Sequence, residues 1–141
     1  YEKQVEECIR LVEKSISQEG ELSTEKYLAM CEQLGTEPDP ARMPVSMDVF
    51  PEDVQYAFLI FNYMPDRWEG MSGSYMGKEW SSIDFFLNLF GIEDKKTVVF
   101  FISRIEYFRV QQLNEKMEKK RKAEERKAKS GGKQYTHNVQ G

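Results

Sequence analysis

Four carboxylates, Asp66, Glu69, Glu79 and Asp84, fall close together in the middle of the chain. Paired carboxylates can move protons to and from a substrate or hold a divalent cation. Acidic side chains around a loop ordinarily serve solvation, so this cluster does not by itself define a site. The neighbouring Gly77-Lys78 has the ending of a phosphate-binding loop. That pattern needs Gly at position 72 and Ser or Thr at 79, where the chain has Ser72 and Glu79. The single imidazole, His137, lies in a polar C-terminal stretch with nothing to hold it against a nucleophile. Cys8 and Cys31 lack the clustered spacing of a zinc site and are too few for a disulfide framework. They read as reduced, buried thiols. No catalytic, metal or cofactor constellation emerges, and the expectation is a protein that is not an enzyme.

The elements available to position these residues are helical. The pattern predicts a first helix over about Glu2–Gln18, with Val5, Cys8, Ile9, Val12 and Ile16 three and four apart, ended by Gly20. Ser23 or Thr24 should cap a second helix with Tyr27, Leu28, Cys31 and Leu34 on one face and Gly35 at its end. Pro38, Pro40 and Pro44 make Thr36–Phe50 an extended connection. A third helix over Pro51–Tyr63 is apolar around most of its circumference, as expected of the central, most buried element. Ser81 with Asp84 should open a short fourth helix bearing Phe85, Phe86, Leu89 and Phe90, closed by Gly91. Asp94 can cap a fifth, with Val98, Phe101, Ile102, Ile105 and Phe108 in its stripe. Thr97–Ile102 is β-branched and aromatic, but no second strand is expected to pair with it, so helix is preferred. The fold class is therefore all-α: a compact bundle of about five helices with no sheet.

Two segments stand outside that bundle. The run 65–80, PDRWEGMSGSYMGKEW, sets Trp68, Met71, Tyr75, Met76 and Trp80 among three glycines. Glycine at that density breaks regular structure, so large apolar side chains are placed on a loop, where they either fold back on the core or meet a partner. Trp68 and Trp80 suit both readings. Met71, Tyr75 and Met76 are the expected exposed contacts, with Arg67 and Lys78 as a polar rim. The second segment is the C-terminal extension. The net charge of −4 conceals nine Lys/Arg against three Glu over Lys116–Lys133. The apolar stripe ends at Met117, after which Glu115–Lys119, Glu118–Lys122 and Glu125–Lys129 pairs are expected to support a helix projecting into solvent. Ser130-Gly131-Gly132 should end it, leaving a mobile peptide suited to ordering on a partner. Residues 1–115 thus read as a helical core and 116–141 as a charged extension. Lys119, Lys120, Arg121, Lys122, Arg126 and Lys127 are the candidates for nucleic-acid phosphates, although no aromatic is interleaved for base stacking.

Apolar runs such as Val98–Ile102 are far too short for a membrane span, and no membrane contact is expected. The N-terminal residues are charged and helical in pattern, unlike a secretory signal. Tyr1 in place of Met suggests a native start further upstream.

Phe50–Ile92, FPEDVQYAFLIFNYMPDRWEGMSGSYMGKEWSSIDFFLNLFGI, with Asp94-Lys95-Lys96-Thr97 downstream and a charged end, resembles small tail- and baseplate-region proteins of contractile-tailed bacteriophages, particularly those of marine cyanobacteria. The likeness covers about two-thirds of the chain. It implies a structural part or assembly factor of the tail or baseplate hub, in the host cytoplasm or the virion, with other phage proteins as partners and no catalytic residues to carry over.

Overall fold

The computed structural model describes residues 2–18 and 23–140, the last ten in backbone only. In chain order the elements are α1 (Glu2–Ser17), α2 (Thr24–Leu34), a 3-10 turn (Met47–Val49), α3 (Glu52–Tyr63), β1 (Asp66–Trp68), β2 (Tyr75–Lys78), α4 (Ile83–Leu89) and α5 (Lys95–Gln140). The architecture is mostly helical, and the five expected helices are present. It is not purely all-α, because the glycine-rich segment forms an antiparallel β-hairpin.

The local signals explain most helix ends. The Ser23 hydroxyl accepts from the Lys26 N–H, and Gly35 adopts the left-handed φ of 68° while its N–H donates to the last-turn carbonyls. The Asp94 carboxylate accepts from the N–H and hydroxyl of Thr97, which settles 97–102 as helix. Gly91, at φ 62°, closes α4 as expected. The Ser81–Asp84 capping pair does not form: Ser82 holds the cap position and makes no side-chain cap bond. Gly20, expected to end α1, lies outside the described residues.

The first half of α5 is the spine. Val98, Phe101, Ile102, Ile105 and Phe108 are buried against Val12 and Ile16 of α1, Val54, Ala57, Ile60 and Phe61 of α3, and Leu87 of α4. The expectation that α3 is the central, most buried helix is corrected. Its outer face leaves Leu59 and Tyr63 exposed, and α5 takes the central place. The α2 stripe also fails to pack, since Cys31 is buried but Leu28 and Leu34 are exposed. Gln18 pins the proline-rich connection, donating to the Met43 carbonyl and accepting from the Val45 N–H.

Beyond Leu113, α5 continues through Gly131-Gly132 to Gln140, where a break had been expected. From Glu115 to Ser130 every residue is exposed. The Glu118–Lys122 pair forms at 4.0 Å, and Arg121 joins it by bonding Glu118 and Glu125. His137 lies in the stretch whose side chains are not described.

Candidate functional site

The hairpin follows directly from the end of α3. Pro65 forces Met64 into extended backbone (φ −72°, ψ 137°), which turns the chain out of the helix and into β1. Asp66 pairs with Lys78, Arg67 with Gly77 and Trp68 with Tyr75, so Met76 is the extra residue of a bulge. The connecting turn is built around Glu69, whose carboxylate accepts from the N–H groups of Met71 and Ser72 and from the Ser72 hydroxyl. Gly73, at φ 71°, supplies the left-handed residue that turn needs.

A two-stranded hairpin is marginal alone. This one is held by α5, which acts as a third partner through side chains. The Asn114 amide accepts from the Tyr75 N–H at 2.9 Å and donates to the Tyr75 carbonyl at 3.1 Å, reproducing the exchange of a paired strand. One Glu106 oxygen accepts from the Lys78 N–H at 2.9 Å and from the Trp80 indole N–H at 2.7 Å. Eight helical residues separate the two anchors, a rise of about 12 Å. The three steps from Tyr75 to Lys78 span about 10 Å of strand, which fits that interval.

Below the hairpin, Lys78 is buried. Its ammonium donates to the Met64 carbonyl at 3.0 Å, contacts Asp66 Oδ1 at 2.9 Å and lies 4.5 Å from the Phe61 ring centroid. The Tyr75 hydroxyl donates to the same Asp66 oxygen at 2.7 Å. Burial pushes the Tyr75 phenol well above its usual range, and the Asp66 bond adds to the rise. Burial also raises the Asp66 carboxyl, but the bonds from Tyr75 and Lys78 outweigh it and leave Asp66 below the ordinary carboxylate range.

That direction gives a pH prediction. A carboxylate whose folded pKa is depressed stabilises the fold above its unfolded pKa, and that contribution disappears as pH falls through the folded value. Denaturation midpoints should therefore drop as pH falls from about 5 towards 2. Asp66→Asn should show a shallower drop. Identical acid profiles for the two proteins would mean that Asp66 does not carry the effect.

The residues singled out from sequence thus divide. Trp68, Met71 and Met76 are exposed, Met71 almost entirely at 96%. Arg67 is exposed beside Glu79 at 3.8 Å. Tyr75 and Lys78 correct the expectation of exposure: both are buried, because the face of β2 opposite Met76 lies on α5 and the end of α3. Trp80 folds inward, packs on the core and bonds Glu106, the first of its two readings. The four carboxylates are not gathered for chemistry. Asp66, Glu69 and Glu79 are engaged in hairpin contacts and Asp84 is exposed on α4. Among the described residues no group of three or more His, Cys, Asp or Glu could hold a metal ion. Nor is any helix there long and apolar enough to cross a membrane. Lys119, Lys120, Arg121, Lys122, Arg126 and Lys127 all lie on the exposed part of α5.

Sequence reasoning missed Glu106 and Asn114. Each lies beside the α5 stripe, where a polar residue reads as solvated surface. It also missed a second apolar surface. On α4, which was expected to bear Phe85, Phe86, Leu89 and Phe90, Phe85 is 64% and Leu89 61% exposed. Phe86 and Phe90 instead stack around Tyr63 of α3 at centroid distances of 5.9 and 5.8 Å, with Tyr56 6.2 Å from Phe90. The aromatic spacing at 85–90 was legible; which side of it meets the core was not.

The class defined by this geometry is a helical protein that displays a side-chain-anchored hairpin. No protein-family model, curated protein or solved structure matches the chain.

Proposed function

We propose that this chain is a non-enzymatic interaction protein of a contractile-tailed phage, a structural part or assembly factor of the tail or baseplate hub. One observation carries the interaction reading. The main-chain groups of Tyr75 and Lys78 and the indole of Trp80 bond to Asn114 and Glu106 of α5, while Trp68, Met71 and Met76 stay exposed on the hairpin so fixed. A preordered apolar display loses little conformational freedom when a partner covers it, and methionine adapts to the partner's shape. The phage context rests on the resemblance of Phe50–Ile92, and that stretch builds both the hairpin and the aromatic α3–α4 surface.

The test is a tagged protein recovered from infected cells. The wild-type chain should bring down tail or hub proteins, identified by mass spectrometry. A Trp68→Ala, Met71→Ala, Met76→Ala variant should melt close to wild type and lose them, since truncating a central interface anchor costs about 2 kcal/mol or more. Tyr75 stays unchanged because it is buried. Retention of the same partners by the folded variant would reject the hairpin as the contact. Recovery of replication or packaging proteins in place of tail and hub components would reject the assembly role.

A further inference from the structure

We propose that the exposed half of α5 binds the phosphate backbone of duplex nucleic acid. Lys120 shares a cleft with Ser72 and Ser74 of the hairpin turn, but Trp68, Met71 and Met76 are not part of the stripe, so the two contacts are tested separately.

The structure sorts the cations in a way their sequence does not reveal. Arg121 is engaged by Glu118 at 2.6 Å and Glu125 at 3.6 Å, and Lys122 reaches Glu118 at 4.0 Å. Besides Lys129, which lies on the side of Glu118 and Glu125, Lys116, Lys119, Lys120, Arg126 and Lys127 have no ion-pair partner among the described residues. At 3.6 residues per turn these five fall within an arc of about 120°. Lys116, Lys120 and Lys127 form its line, with Lys119 and Arg126 beside them. Glu118 and Glu125 occupy the opposite side, while Glu115 and Glu124 flank the edges. The result is a basic stripe whose near end, Lys116 and Lys119, borders Glu13 and Ser17 of α1 and whose far end, Arg126 and Lys127, is exposed.

Two acidic surfaces can meet such a stripe, a protein or a polyphosphate, and the energetics favour the second. Exposed ion pairs between proteins contribute little each and are screened by salt. A nucleic acid releases condensed counterions for every phosphate neutralised, which drives binding without any apolar contact. The acidic body offsets this attraction at Lys116, Lys119 and Lys120, all within about 11 Å of Leu113 along the helix, but not at the far end of the stripe. Arg126 lies about 20 Å along the helix beyond Leu113, more than twice the screening length of about 8 Å at physiological salt.

Duplex is favoured over single strand because 115–130 contains no aromatic residue on which unpaired bases could stack. A lone helix fits the major groove of B-form DNA, and on an RNA duplex the same cations can meet the backbone phosphates from outside the groove. The stripe is mostly lysine, a point charge, so the contact reads phosphates rather than sequence.

The experiment measures fluorescence anisotropy of labelled DNA duplex, RNA duplex and single strand with the full chain, from about 50 to 200 mM salt. Both duplexes should bind, with log K falling against log salt at a slope of about −4.5 for five neutralised phosphates on DNA duplex, and the single strand should bind more weakly. Two double variants remove the same charge: Lys120→Gln with Lys127→Gln, and Arg121→Gln with Lys122→Gln. Glutamine is a good helix former, so circular dichroism should be unchanged in both. The first should weaken binding roughly tenfold or more, and the second several-fold less, because its cations are already engaged. Equal losses would reduce the effect to net charge and overturn the stripe. Tighter binding to single strand would overturn the duplex assignment. Absence of binding at the lowest salt would overturn the proposal, and salt-sensitive self-association in its place would assign the stripe to the acidic body of a second copy.

Discussion

Replacing Phe61 by alanine should destabilise the protein by about 3–5 kcal/mol, a large part of the roughly 5–15 kcal/mol available to a domain of this size. Two losses combine at this position. Phe61 is 3% exposed in the core between α3 and α5, so truncation removes buried aromatic area and leaves a cavity. Its ring also lies 4.5 Å from the buried Lys78 ammonium, which would lose the aromatic face that compensates for its removal from water. Urea denaturation followed by circular dichroism measures the loss. Phe58→Ala is the internal comparison. Phe58 is only half-buried and packs on Phe50 at 5.3 Å, so it should cost clearly less. A loss below about 1 kcal/mol for Phe61→Ala would show that the core has been misplaced.

The second large effect is expected at Glu106. Glu106→Ala removes the single oxygen that accepts from both the Lys78 N–H and the Trp80 indole. An inward-facing donor left without a partner costs about 1–3 kcal/mol, so the two together should cost roughly 2–6 kcal/mol and release the hairpin from α5. Amide exchange at Lys78 and Tyr75 should accelerate while total helicity barely changes. Glu106→Gln keeps an oxygen at that position and loses only the charge, so it should recover most of the stability. A glutamine variant as damaged as the alanine one would contradict this account.

Gly77 supplies an independent check on the same contact. It adopts φ 96°, and a Cβ there would meet the Glu106 carboxylate at 2.8 Å. Gly77→Ala should therefore combine backbone strain with displacement of the acceptor. In the Glu106→Ala background its cost should shrink, since only the backbone part, about 1 kcal/mol, remains.

Helices and their ends were legible in the sequence because they rest on local chemistry. The α5 stripe needs only a spacing of three and four, and Ser23, Gly35, Gly91 and Asp94 act within a few residues of themselves. The hairpin was not legible for the opposite reason. Its strands hold three and four residues, too few to show an alternating pattern, and their outer partner is a pair of helix side chains 28 and 39 residues away. The burial of Tyr75 and Lys78 follows from that docking, as does the inward turn of Trp80.

By itself, then, the sequence determined the number and type of the helices, the soluble-looking charge pattern of the extension, and the stretch on which an apolar display would fall. Only the tertiary structure decided which members of that stretch are displayed. Trp68, Met71 and Met76 are left outside because Glu106 and Asn114 fix β2 by its backbone and turn Tyr75 and Lys78 inward. The same holds for the basic extension: composition supplies its cations, but ion pairing along the folded helix separates those already neutralised from those that remain open. Helical periodicity is a property of near neighbours, whereas exposure and ion pairing depend on which distant surfaces the fold brings together.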